Sequence, residues 1–287
     1  MRFDNPLESF PPSFYSYFAL NAERADWRKV AGIRSSFVAP TSTSYAAALH
    51  LLKRLGGSPL IEAGAIKSVT AIFNARMAET FDNYIHTLEQ RHRSDPTLFA
   101  KQDWLHSGDR VELRRWVVHE FGKLCQRYPW NDFNRQCSVV PVIHGTSASV
   151  GTKIIDTGFA TLSELDAGFY GRGMYFTSDA LYALPYFSSK PDPAILLCLA
   201  VPGNPYPVVE AKSEPNSFFG RPLKNGYQCN YVLTGKDGGP HQAKLAGGFY
   251  DEIVIEQESQ IVPIFMVEFD PAKVAPLALE FQREISR

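Results

Sequence analysis

The strongest constraint on this fold is a change of texture at Pro129. Beyond it the apolar residues gather into short runs, at residues 139–143, 195–201, 231–233, 253–255 and 261–269, separated by Gly, Pro, Asn and Asp. Runs this short and this rich in Val and Ile read as strands of a largely antiparallel sheet. Before Pro129 the spacing is helical. A short helix is expected from Tyr45 to Leu55, ended by Gly56 and Gly57, which tolerate the left-handed conformation. A long helix is expected between Ala65 and Arg91, with Ile66, Val69, Ile72, Phe73, Met77, Phe81, Tyr84, Ile85 and Leu88 on one stripe. Another runs from Asp109 to Tyr128, where Asp109 followed by Glu112 resembles a capping arrangement. Residues 1–40 are aromatic and proline-containing without a period, and read as a segment that wraps a neighbouring surface. The sum is an α+β chain with a mostly helical N-terminal half packed on mainly antiparallel sheets with short helices. It divides into an extension of unknown role (1–57), a helical lead-in (58–135) and a strand-rich domain (136–287). No internal repeat or low-complexity tract is evident.

Charge and cysteine usage argue against several function classes. A net charge of -1 gives no general attraction to nucleic acid or to an anionic membrane surface. The four cysteines, Cys125, Cys137, Cys198 and Cys229, form neither a CxxC pair nor a zinc-spaced cluster, and read as reduced thiols. The histidines show no HExxH pattern, so no metal is expected. The start of the sequence has no signal-peptide pattern and no apolar run long enough to span a bilayer, which fits a cytosolic or nuclear protein or a fragment of a longer one.

Three places combine chemistry with unusual backbone. His144 stands at the end of an apolar run and is followed by Gly145, Thr146 and Ser147, so an imidazole lies beside backbone that a ligand can approach closely. Tyr175 follows the glycine-flanked turn Gly171-Arg172-Gly173, and Tyr186 falls on a short helix expected over residues 179–187. Two tyrosines on a common cleft can sandwich a flat heterocycle. Glu252 precedes the apolar run Ile253-Val254-Ile255, where a carboxylate at a strand edge can point into a cleft; Glu256 and Glu258 compete for that role.

Together these segments resemble the catalytic domain of the poly(ADP-ribose) polymerase family, the H-Y-E branch of the diphtheria-toxin-like ADP-ribosyltransferases. The matching stretches are His144-Gly145-Thr146, Tyr170-Gly171-Arg172-Gly173-Met174-Tyr175-Phe176, Tyr186, and Tyr250-Asp251-Glu252-Ile253-Val254-Ile255 with Gln260-Ile261-Val262-Pro263 beyond. The resemblance covers residues 138–270 well and 66–89 more loosely. It implies NAD⁺ as donor, with no metal. His144 then binds ribose hydroxyls, and the backbone of Gly145, beside Thr146, receives the nicotinamide carboxamide. Tyr175 and Tyr186 enclose the nicotinamide ring, and Glu252 binds the ribose 2′-hydroxyl and acts as the catalytic carboxylate. Residues 158–170 correspond to the loop over the bound donor. The acceptor is a protein or the chain itself.

Two departures matter. Ala183 stands where many relatives place a serine that assists carboxamide recognition, and Arg172 replaces the usual lysine. Mono-transfer is favoured over polymer formation, because residues 202–227 do not match the acceptor loops of polymerising members. A NAD⁺ glycohydrolase using the same residues and an inactive NAD⁺ or ADP-ribose binding module are the alternatives. The arginine-directed branch, whose paired glutamates Glu256-Gln257-Glu258 superficially copies, is a further rival and needs those two side chains on a continuing strand.

Overall fold

A computed structural model describes residues 33–99, 101–106, 110–128, 131, 137–159, 168–241 and 248–283. The architecture is α+β, with seven helices and two mostly antiparallel sheets among the described residues. No helix there is long and apolar enough to cross a membrane.

The first sheet has five strands in the order β1 (Ile33–Phe37), β2 (Ile66–Asn74), β9 (Ile261–Phe269), β5 (Pro193–Ala200) and β3 (Val140–Ser147). The second runs β4 (Met174–Phe176), β8 (Tyr250–Ile255), β7 (Cys229–Thr234) and β6 (Pro205–Val208). All pairs are antiparallel except β6 with β7. One apolar core runs from Ala47 to Phe281, so helices and both sheets share it.

Two segments depart from the sequence expectation. The stripe read as one helix over residues 65–91 is strand β2 followed by helix α3 (Ala75–Ser94). β2 lies between β1 and β9, and its consecutive residues Val69, Thr70, Ala71 and Ile72 are all buried. A strand covered on both faces shows no alternation, and its β-branched residues happen to fall in step with the stripe of the helix that follows. Asn74 makes the break: its side chain accepts from the Met77 amide at 3.0 Å and donates to the Ile155 carbonyl at 3.0 Å. Residues 33–37, expected only to wrap a surface, form the edge strand β1, which pairs with β2 along its length. The five-stranded sheet therefore draws strands from both sides of the expected boundary at 135/136.

Elsewhere the reading holds more closely. Helix α1 (Thr43–Arg54) begins at Ser42, whose side chain caps the Tyr45 amide, and Gly56 follows it with φ +76°. A one-turn helix, α2 (Ser58–Glu62), comes next. Helix α4 (Val111–Gln126) buries Val117, Phe121 and Leu124. The expected cap Asp109 lies outside the described residues; Arg110 occupies the cap position at φ 60° without a side-chain cap bond. Buried Arg114 of α4 donates to the Pro207 carbonyl and to Glu210, which fastens this helix to the β6 edge.

The two sheets meet edge to edge. Ile143 of β3 and Thr177, just past β4, exchange both backbone bonds at 2.8 and 3.1 Å. At another point Gln260, 1% exposed, donates to the Val201 carbonyl at 2.9 Å and the Gln228 carbonyl at 3.1 Å, tying the β5–β9 pair to the start of β7. Helix α5 (Ala148–Thr157) covers one side of β3, and α6 (Ala180–Phe187) packs against the other. Helix α7 (Pro271–Arg283) follows β9.

Candidate active site

The site begins where the Ile143–Thr177 bridge ends. In an antiparallel strand the N–H and C=O of one residue point to the same side, and that side alternates along the chain. Ile143 points at Thr177, so His144 turns its backbone toward β5 and Gly145 turns its own toward the open edge of β3. Gly145 is there because α6 lies close. A β-carbon at this position would sit 3.2 Å from Tyr186 Cβ and 3.3 Å from the Ala183 carbonyl. The glycine thus sets Tyr186 directly over an edge whose peptide groups can receive a ligand.

His144 is held by a bond between its Nδ1 and the Tyr175 carbonyl at 3.0 Å. A carbonyl only accepts, so Nδ1 carries the proton and Nε2 of the neutral ring is an acceptor. Burial depresses the imidazole pKa below its ordinary value, against an opposing effect of the Tyr175 bond. Phe159 and Phe176 surround the ring at 5.4 and 5.7 Å. Thr146 shares the side of β3 that carries His144 but is buried, with its γ-methyl 3.6 Å from where a β-carbon of Gly151 would lie, in the junction with α5.

Tyr175 closes the glycine turn. Its hydroxyl donates to the Gly171 carbonyl at 2.7 Å and accepts from the Tyr170 amide at 2.7 Å. Gly171 has φ +119°, and a side chain there would strike Leu223 and Asn230, so the turn tolerates only glycine. The Arg172 side chain is exposed. Ala183 is 1% exposed on α6. Of the expected donor loop, residues 160–167 lie outside the described residues.

Glu252 is 6% exposed on β8 and opposite Val232. Its Oε1 accepts from the Tyr182 hydroxyl and, at 3.3 Å, from the Tyr186 hydroxyl. The structure therefore links Glu252 to Tyr186, Tyr186 to the Gly145 edge, and His144 to Tyr175. Glu256 and Glu258 do not share this strand. β8 ends at Ile255, and Glu258 opens a 3-10 turn where its Oε1 accepts from the Phe159 amide at 3.0 Å.

Two residues escaped the sequence reading. Tyr182 lies one helical turn before Tyr186, so an i, i+4 search from Tyr186 would have found it. Burial, followed by the charge of Glu252, pushes its phenol far above the ordinary range, so it keeps its proton and donates. Asp251 faces the opposite side of β8 and accepts from the Ser178 amide at 2.6 Å, Ser178 Oγ at 2.7 Å, Thr177 Oγ1 at 3.1 Å and the Tyr231 hydroxyl at 3.2 Å. It locks β8 to the turn between β4 and α6, and so fixes where Glu252 and the α6 tyrosines meet.

Among the described residues no group of three His, Cys, Asp or Glu side chains is placed to hold a metal ion, and none of the four buried cysteines is in a disulfide. What the arrangement offers is a buried carboxylate, phenol hydroxyls, an imidazole acceptor and an open strand edge. No protein-family model matches the chain and the search of curated proteins returned no match, so a functional reading rests on this geometry and on the motifs that build it.

Proposed function

We propose that this chain is an NAD⁺-dependent ADP-ribosyltransferase of the H-Y-E type, with the diphtheria-toxin-like fold, acting on a protein acceptor or on itself by mono-transfer. The observation that carries the reading is the convergence of Glu252 with Tyr186, which itself lies over the Gly145 edge of β3. The Gly145 peptide fits a carboxamide, which needs one donor and one acceptor side by side. His144 Nε2 fits a ribose hydroxyl. Loss of nicotinamide breaks the C1′–N bond, with the electron pair going to the ring nitrogen, and the departing group is neutral. The ribose is left with oxocarbenium character, and a nearby fixed carboxylate stabilises it. Glu252 fills that role; the acceptor nucleophile then bonds to C1′ and gives up its proton to water. The end of β8 at Ile255 speaks against the arginine-directed rival, because Glu256 and Glu258 are not on a continuing strand.

The test is incubation of the purified chain with NAD⁺, measuring free nicotinamide and the intact mass of the protein and of candidate acceptors. Release of nicotinamide with a gain of one ADP-ribose unit is expected. Release without any gain in mass would make the chain a NAD⁺ glycohydrolase, and binding of NAD⁺ without release would make it a binding module.

A further inference from the structure

We propose that Tyr182 is a positioning residue for Glu252, whose hydroxyl fixes the carboxylate for bond cleavage without taking part in holding NAD⁺. The inference rests on the transferase reading above. Tyr182 and Tyr186 both donate to Oε1 of Glu252, yet their surroundings differ. Tyr186 is 53% exposed and accessible to a ligand, whereas Tyr182 is 3% exposed. The Tyr182 ring is stacked on Tyr250 at 5.4 Å with planes 19° apart, and Tyr250 in turn meets Phe281 of α7 edge-on at 5.5 Å. Tyr250 and Glu252 are two residues apart on β8 and share a face, so the strand that carries the carboxylate also carries the platform under the phenol.

This makes one rigid unit. The phenol cannot swing without leaving Tyr250, and a donor fixed in space fixes the oxygen that accepts from it. The benefit falls on the transition state. A carboxylate beside a developing cation stabilises it most when its orientation is set beforehand and no reorganisation is required during reaction. On the proposed reading most of the ground-state hold on NAD⁺ comes from the Gly145 edge, His144, Tyr175 and Tyr186, none of which the Tyr182 hydroxyl holds in place, and the one bond of Glu252 to the ribose 2′-hydroxyl is the smaller part.

The discriminating variant is Tyr182→Phe, which keeps the ring on Tyr250 and removes only the hydroxyl. The expected result is a KM for NAD⁺ within about twofold of the wild type and a kcat lower by roughly 10- to 100-fold, the range for a hydrogen bond to a charged group. An unchanged kcat, or a loss confined to KM, overturns the proposal. A second measurement needs no turnover. A buried hydroxyl proton held on a carboxylate is shielded from solvent exchange and resonates downfield. In the full chain this proton signal should be present, absent from Tyr182→Phe, and displaced in Glu252→Gln. If the wild type lacks it, Tyr182 does not hold Glu252. Should the wild type release no nicotinamide, the transferase reading fails, and the hydroxyl signal alone decides whether the Tyr182–Glu252 pair exists.

Discussion

Asp251 and Glu252 are neighbours in the chain, are buried to the same degree at 5% and 6% exposure, and face opposite sides of one strand. Their partners differ in kind. Asp251 draws an amide and two hydroxyls from Thr177 and Ser178, in the turn between β4 and α6, and a third hydroxyl from Tyr231 on β7. Glu252 draws the hydroxyls of two tyrosines on one helix, one of them exposed. A third buried carboxylate, Glu210, is met by the Arg114 guanidinium, which neutralises it. Burial alone therefore does not mark a functional acid. A cation or a backbone amide answers the two carboxylates that fasten the fold, whereas Glu252 is held by phenols, one of them exposed, and on the proposed reading that is the carboxylate a ligand meets.

Replacement of both neighbours tests that distinction. Asp251→Ala strands a backbone amide and the buried Tyr231 hydroxyl, and the expected cost is on the order of 3–4 kcal/mol in urea denaturation, the largest effect of the set. Glu252→Gln keeps the shape and the acceptor for Tyr182. Its unfolding free energy should change by less than about 1 kcal/mol, while nicotinamide release falls by about 10²–10³-fold with NAD⁺ binding retained. If Glu252→Gln unfolds the chain as readily as Asp251→Ala, the contrast between the two carboxylates collapses. The smallest effect is expected on the other sheet, at His144. Its folded pKa is depressed below the ordinary 6.5, so its contribution to stability is complete above that value and is lost as the pH falls through the folded value. Between about pH 7 and pH 5 the Tm of the wild type should drop more steeply than that of His144→Gln. Parallel curves would mean that the imidazole is as readily protonated in the fold as outside it.

The second half of the chain was legible because its strands are short, β-branched and punctuated. β9 occupies residues 261–269, as its apolar run indicated, and the expected helix over 179–187 is α6. β2 was not legible as a strand. Spacing reports period, and a strand buried on both faces has none to report, so Ile66, Val69 and Ile72 lent themselves to the helix that follows. β1 lies in an aromatic segment without a period, and its partner strand β2 carries the spacing of a helix. In the candidate site, His144, Gly145, Tyr175 and Glu252 are visible as residues standing beside glycines or at strand ends, and Tyr186 by its place on the short helix expected over residues 179–187. Tyr182 and Asp251 are not, since a tyrosine on an apolar helix and an aspartate entering a strand look ordinary until the partner element is placed. Thr146, a candidate through its place beside Gly145, is buried in the α5 junction.

The five-stranded sheet also has a consequence for how the chain reaches its fold. β9 sits between β2 and β5, with Ile66 opposite Phe269, so the sheet closes through pairings between residues far apart in sequence. On a ribosome, β1 with β2 and β3 with β5 can form as two separate pieces, but neither has its neighbour until residues 261–269 have emerged. Such long-range closure is slow, and the waiting edges of β2 and β5 are exposed to mispairing in the meantime. Chaperone dependence during synthesis, and aggregation of nascent chains stalled before Ile261, are the natural costs of placing the last strand in the middle.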